Sequence, residues 1–507
     1  MSPVESDLQP GPQRPAPGEL GTEARDMLDT SEAGGAALRG SILRTGSYVL
    51  GILLSLISAR VLIEHLGVSN FGRYTTVVAL VTIVSGFTEG GLNSIVLKEF
   101  AVLGEQRRRE MMASAIGIRL VLTVLGVALA VAFATVAGYG ATMIAGTALA
   151  GTGLILQLLQ STLATTLQAQ LRFGWVSAVE MLRQVVNVGL LVALALAGAH
   201  LLTLLAVAIP ASGVSLLFTI PLVMRYTSLR PSFHAARWWH LLRETVPWAV
   251  VAAVSIVYFR VALVLMSMIS SAKQTGYFAT SFRITEVLVA IPVLVISAAF
   301  PILARAERED TARFNLASGR IFELALFAGT GLVLCLEVGA AFAIHVIAGG
   351  KADPSITVLR IQGPALIASF VAVACGYPLL MRRRYREVIL ANVIALLISA
   401  VLTLSLAPSL GARGAALAAL VAEAGLAIGQ AVMLRRAAPG VQLRLSTIAV
   451  VALAGGFAVT VGLLLPVHPL IAVAVAALLY CGVLRLLGRF PPEVGEVLSG
   501  WIRPADG

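Results

Sequence analysis

Charge is scarce in this chain. Asp, Glu, Lys and Arg make up 12% of its 507 residues against 58% hydrophobic, and the mean hydropathy is +0.91. A soluble domain of this length could not be coated with so few charges, so a water-soluble fold is excluded. Lysine is nearly missing: Lys98, Lys273 and Lys351 stand alone, and almost every cation is an arginine. The six aspartates, Asp7, Asp26, Asp29, Asp310, Asp353 and Asp506, all lie outside the long apolar runs. The three cysteines, Cys335, Cys375 and Cys481, fall inside such runs without ligand spacing, and the six histidines are scattered, so neither a disulfide framework nor a metal site is indicated. No cofactor motif is visible. The net charge of +11 sits in short loops, where orientation signals belong, and not on a surface that would meet nucleic acid.

Hydrophobic runs are what the chain has in plenty. Fourteen are delimited near 41–66, 74–97, 112–137, 141–167, 175–198, 201–224, 246–270, 277–304, 315–347, 356–381, 387–407, 413–434, 446–466 and 469–487. A helix crossing about 30 Å of hydrocarbon takes roughly 20 residues at 1.5 Å rise, so each run is long enough. The expected fold is all-α, a polytopic membrane protein of about 14 transmembrane helices. Residues 1–38 differ in kind, with Pro3, Pro10, Pro12, Pro15, Pro17 and many acidic residues. They read as a disordered cytoplasmic tail, followed by a first helix that acts as an uncleaved insertion signal.

Arginine alternates between the loops. One set holds Arg107, Arg108, Arg109, Arg172, Arg183, Arg225, Arg230, Arg237, Arg243, Arg305, Arg308, Arg313, Arg320, Arg382, Arg383, Arg384, Arg386, Arg435, Arg436 and Arg444; the other holds Arg73, Lys273, Lys351 and Arg413. The positive-inside rule places the first set, and both termini, in the cytoplasm.

The chain also repeats itself. LGVSNFGRYTT (Leu66 to Thr76) is echoed by ISSAKQTGYFAT (Ile269 to Thr280), with Gly72 and Gly276 in corresponding places. AQLRFGWVSAVEMLRQ (Ala169 to Gln184) is echoed by MRRRYREVILANVIAL (Met381 to Leu396). The offsets, 204 and 212, predict two six-helix lobes related by an axis along the membrane normal, because an even number of spans preserves orientation. The expected layout is an N-terminal lobe over 39–226, a C-terminal lobe over 243–436, an extra helix pair over 445–487 and a short tail over 488–507.

Four stretches carry a family resemblance: RTGSYVLGILLSLISARVLIEHLGVSNFGRY, GLNSIVLKEFA, TGYFATSFRITEVL and PSLGARGAALAALVAE. Over residues 39–487 the chain resembles polysaccharide-biosynthesis flippases of the multidrug/oligosaccharidyl-lipid/polysaccharide exporter superfamily. The resemblance implies two lobes around a central cavity and movement of a polyprenyl-diphosphate-linked oligosaccharide from the inner to the outer leaflet of the bacterial cytoplasmic membrane, by alternating access. It implies a transporter and not an enzyme, working on an anionic lipid-linked glycan among membrane lipids, beside glycosyltransferases and a polysaccharide polymerase. Two superfamily readings stand beside it, a peptidoglycan-precursor lipid flippase and a cation-coupled multidrug antiporter. The absence of intramembrane aspartate and the abundance of intramembrane arginine tell against the antiporter.

Such a substrate carries a diphosphate and a wet sugar past a barrier that rejects both, so the candidate site residues are intramembrane cations. Arg260, in the middle of the seventh run, has no acid three or four residues away and calls for a ligand or an interhelical partner, for which Glu89 is a candidate. Arg60 and Arg283 lie toward the external side, and each has a local acid, Glu64 and Glu286, that could neutralise it. Arg44 could meet incoming headgroups; Arg44 and Arg119 otherwise read as anchors that snorkel to the cytoplasmic interface. Glu89 with Asn93, beside Gly90 and Gly91, suggests a kinked, polar segment facing the cavity. Glu89, Glu337 and Glu423 are the candidates for ion coupling. Pro210, Pro221, Pro292, Pro301, Pro364 and Pro378 are expected to interrupt the sixth, eighth and tenth helices.

Overall fold

A computed structural model of the chain describes residues 31–491 except 90, 103, 171, 228 and 234. The described residues form sixteen α-helices and no strand. In chain order these are α1 Ser31–Glu89, α2 Leu92–Val102, α3 Glu105–Val136, α4 Ala141–Ala169, α5 Phe173–Leu196, α6 Leu201–Ala206, α7 Ala208–Val223, α8 Ala235–Ile269, α9 Ala272–Glu309, α10 Thr311–Ala348, α11 Pro354–Gln362, α12 Ala365–Met381, α13 Tyr385–Leu410, α14 Ala412–Ala437, α15 Leu445–Leu464 and α16 Pro469–Leu486. Helices are the form in which an open chain satisfies its own backbone in hydrocarbon. The expected tail over 1–38 falls outside the described residues up to position 30, and α1 already begins at Ser31.

Twelve helical stretches among the described residues are long and apolar enough to cross a membrane. The first of them, Leu50–Leu97, is 48 residues long, about 72 Å at helical rise and more than twice a hydrocarbon core. It does not run straight. Gly67 breaks α1 with φ 72° and ψ 165°, values that a side chain would resist, and splits it into two limbs. Pro210 and Pro221 lie within α7, just after the α6–α7 interruption at Val207, and the tenth expected span is broken between Gln362 and Ala365 beside Pro364. Contrary to expectation, α9 continues through Pro292 and Pro301 as one 38-residue helix.

The repeat seen in the sequence is physical. Gly72 and Gly276 press against each other: a methyl on Gly72 would lie 2.7 Å from Gly276 N, and one on Gly276 would overlap the Val68 carbonyl. Corresponding residues meet where a twofold relation puts its axis. Four residues on, buried Thr76 and Thr280 each donate to the carbonyl of their glycine at 2.9 Å. In the second echo, Arg172 and Arg384 open α5 and α13 in the same backbone conformation, φ/ψ −86°/49° and −84°/51°.

Contacts sort the loops into two faces. On the arginine-poor face, His65 meets the Ala199 carbonyl, Tyr139 bonds Ser267, Lys351 donates to the Glu64 carbonyl, and Gln274 accepts from Ala412 N. On the arginine-rich face, Ser232 N donates to the Ala113 carbonyl, Arg172 lies over Tyr226, and Arg382 donates to the Ala437 carbonyl. One apolar core spans both halves near the arginine-poor face, joining residues such as Ile63, Phe71 and Leu204 to Phe278, Ile344 and Ala415. Toward the arginine-rich face the cores separate. Met112, Leu167 and Val223 form one, to which the entry of α8 adds Leu241, while Leu303, Phe314 and Leu434 form the other. The halves therefore share one core at the arginine-poor face and have separate cores at the other, where the entry of α8 packs with the N-terminal half. Helices α15 and α16 pack on each other and on the flank of α10, where Tyr480 donates to the Phe327 carbonyl at 3.0 Å.

Candidate functional site

Between the halves, α8 carries Arg260 and α9 carries Arg283 and Glu286 one turn apart. Arg260 donates to one oxygen of Glu286, and Arg283 donates to the other at 2.8 Å. The second Arg283 nitrogen reaches across to Ser55 Oγ on the first limb of α1, at 2.7 Å. Arg260, Glu286 and Arg283 are 14%, 21% and 31% exposed. The Arg260 guanidinium carbon also lies 5.5 Å from the ring centres of Phe259 and Phe282, whose faces favour a cation. One carboxylate thus serves two guanidiniums, and the trio keeps one surplus positive charge.

This corrects the sequence reading twice. Glu286 is shared and not a private partner of Arg283, and Arg260 pairs with Glu286 and not with Glu89. Same-helix spacing reveals only pairs along one helix, so the Arg260–Glu286 pair, 26 positions apart, carried no local signal.

Arg60 lies apart from the trio. It bonds Glu64 at 3.0 Å and the Val346 carbonyl at 3.1 Å, half exposed, tying α1 to the end of α10 near the arginine-poor face. The Arg44 side chain lies outside the described residues.

Arg119, expected at the interface, is instead fully buried, with 0% exposure. It donates to Thr162 Oγ1 at 3.0 Å, to Asn93 Oδ1 at 2.6 Å and to the Thr88 carbonyl. Asn93 in turn donates to Ser161 at 2.7 Å. The physical reason lies in the helix break: α1 stops at Glu89 and the chain turns through Gly91 with φ 81° before α2. That leaves carbonyls of the last turn without helical donors, a severe cost in hydrocarbon, and the guanidinium supplies the donor. The glycine pair was the available signal, since an intramembrane break needs a donor. Glu89 at the break is exposed. Asn93 therefore serves the break inside the N-terminal half and does not join Arg260.

Glu423 on α14 accepts from Tyr258 of α8 and from Ser369 of α12 at 2.6 Å, beside a cavity of about 50 Å³ that Phe259, Phe282 and Gln362 also line. Both of its oxygens are occupied. Glu337 on α10 differs: Oε1 is buried and has no hydrogen-bond partner among the described residues, close against Gly363 at the α11–α12 break.

Residues 37–307, more than half of the chain, match the family model described as polysaccharide biosynthesis protein. No curated protein matches by sequence. Among solved structures, a lipid II flippase MurJ in an inward closed conformation is 14% identical, with TM-score 0.75, over 89% of this chain and 99% of the other. An inward-facing multidrug resistance MATE family transporter is 12% identical, with TM-score 0.62, over 77% and 95%. A MOP superfamily transporter from Pyrococcus furiosus is 14% identical, with TM-score 0.55, over 80% and 96%. At these identities the likeness establishes a common fold.

Proposed function

The chain belongs to the polysaccharide biosynthesis protein family, and from that premise we propose that it flips a polyprenyl-diphosphate-linked oligosaccharide across the bacterial cytoplasmic membrane, from inner to outer leaflet. In this reading the arginine-rich face is cytoplasmic, as the loop charges require. The observation that carries the proposal is the Arg260–Glu286–Arg283 trio, whose surplus charge lies between the two halves with little exposure. Guanidiniums offer paired donors that match phosphate oxygens, and a partly desolvated setting strengthens them.

The geometry supplies a coupling as well. Arg283 bonds Ser55 of the opposite half. A diphosphate that takes up the Arg283 donors exchanges a bond between halves for a bond to substrate, so binding bears on the equilibrium between lobe arrangements. Halves that share one core at the arginine-poor face and keep separate cores at the other suit entry from the arginine-rich side. The Gly72–Gly276 contact is the seal that outward opening must part. Of the three carboxyls considered for ion coupling, Glu337 has the buried oxygen without a partner, and we assign proton uptake to it.

The test is flipping of a fluorescent polyprenyl-diphosphate oligosaccharide in proteoliposomes. Wild-type protein should accelerate it, and Arg283→Ala should remove most of the acceleration while the protein stays folded. Equal flipping by wild-type and empty vesicles would overturn the reading. A preference for a polyprenyl-diphosphate muropeptide over the oligosaccharide would transfer it to the peptidoglycan branch.

A further inference from the structure

Away from the trio, two contiguous cavities of about 610 and 200 Å³ open on the arginine-rich face where α10, the α14–α15 loop and the end of α16 meet. They share Arg320, Glu323 and Arg444 in their walls, and Arg489 closes the smaller one. Arg320, Arg444 and Arg489, from three separate chain segments, line the smaller cavity together with Glu323. Glu323 lies 3.9 Å from Arg444 and accepts from Thr447 at 3.4 Å.

The wall is built and not incidental. Arg435 donates to the Leu443 carbonyl at 2.5 Å, Arg382 donates to the Ala437 carbonyl, and Ala438, Val441 and Leu443 are buried as anchors of the loop. Asn315, in the lining of the larger cavity, keeps a buried oxygen without a hydrogen-bond partner among the described residues.

Chemistry in the walls changes with exposure. Arg320, Arg444 and Arg489 are exposed, while among the apolar residues of the smaller cavity Leu324 and Phe327 are half-buried and Val451 is buried, Phe327 and Val451 belonging to the apolar cluster on the flank of α10. A soluble anion uses only the first; a phospholipid uses both, with its phosphate on the arginines and its chains along the helix flank. We propose that this junction is a site for the phosphate headgroup of an anionic membrane phospholipid, separate from the Arg260–Glu286–Arg283 trio, with which it shares no residue. Assigning the lipid to the inner leaflet rests on the orientation proposed above; the binding itself does not.

The experiment is lipid retention by the purified full-length protein in detergent, read by native mass spectrometry with phosphatidylglycerol and phosphatidylcholine in competition. Wild-type protein should favour phosphatidylglycerol, and each of Arg320→Gln, Arg444→Gln and Arg489→Gln should lower that preference about fivefold. Glu323→Gln removes a like charge from the site and should raise it, a gain that no unfolded variant can imitate. Absence of preference in the wild type, unchanged preference in all three arginine variants, or a fall in Glu323→Gln would overturn the assignment. Displacement of the lipid by inorganic pyrophosphate at equal concentration would overturn the lipid in favour of a soluble anion. None of these readouts depends on flipping, so the site and the transport proposal fail separately.

Discussion

Replacing Arg119 with methionine removes the guanidinium that caps the break between α1 and α2. Methionine keeps much of the volume and the helix propensity, so the effect isolates the lost donors. Three acceptors lose a partner. Thr162 is the least affected, because its hydroxyl still donates to the Leu158 carbonyl at 2.9 Å. The Thr88 carbonyl and Asn93 Oδ1 are left in the interior, at about 1–3 kcal/mol each, so the expected loss is about 2–6 kcal/mol. Arg119→Lys keeps the charge but cannot present a planar fork to acceptors on three helices, and it should fall between the two. Unfolding of the purified protein in mixed micelles by increasing dodecyl sulfate reads the difference directly. If Arg119→Met unfolds within about 0.5 kcal/mol of the wild type, as a surface position would, the capping account of the break is wrong.

Gly276→Ala puts a methyl into the Val68 carbonyl; it should cost about 1–3 kcal/mol as overpacking and loosen the contact between the halves at the arginine-poor face, seen as faster labelling of Ser267→Cys by a membrane-impermeant maleimide. Labelling of Arg384→Cys, in a background free of Cys335, Cys375 and Cys481, should occur only from the cytoplasm, and labelling from outside would reverse the orientation. Glu337→Gln cannot release a proton, so flipping should lose its response to an imposed pH gradient while persisting at equal pH; an unchanged response would remove Glu337 from coupling.

Much of the architecture was legible because membrane helices announce themselves by length, and because the loops carry arginine on alternate sides. The repeat was legible through two short loops, since Gly72 and Gly276 are constrained by the same contact and Arg172 and Arg384 by the same turn. Arginines within the apolar runs were legible, but their partners were not. Arg260 and Arg283 stood out as cations where cations are costly, yet their sharing of Glu286 joins two helices and leaves no periodic trace. The burial of Arg119 left no trace in the apolar run, which begins only about two turns before it, whereas α3 starts at Glu105 and sets Arg119 four turns in. The cavity at Arg320, Arg444 and Arg489 was invisible because its three arginines come from segments more than a hundred positions apart at the extremes.

In the function proposed above, the trio holds a spare positive charge for a diphosphate, and the sign of one change tests this most sharply. Binding of a polyprenyl diphosphate to purified wild type, Arg260→Ala, Arg283→Ala and Glu286→Gln would be measured by fluorescence titration, with thermal stability of each variant alongside. Losing either arginine removes charged hydrogen bonds worth about 1.5–3 kcal/mol, a weakening of roughly 10- to 100-fold. Glu286→Gln frees both guanidiniums and should tighten binding even as it lowers stability. Binding that weakens in Glu286→Gln as much as in the arginine variants would make the trio a structural brace and contradict the account.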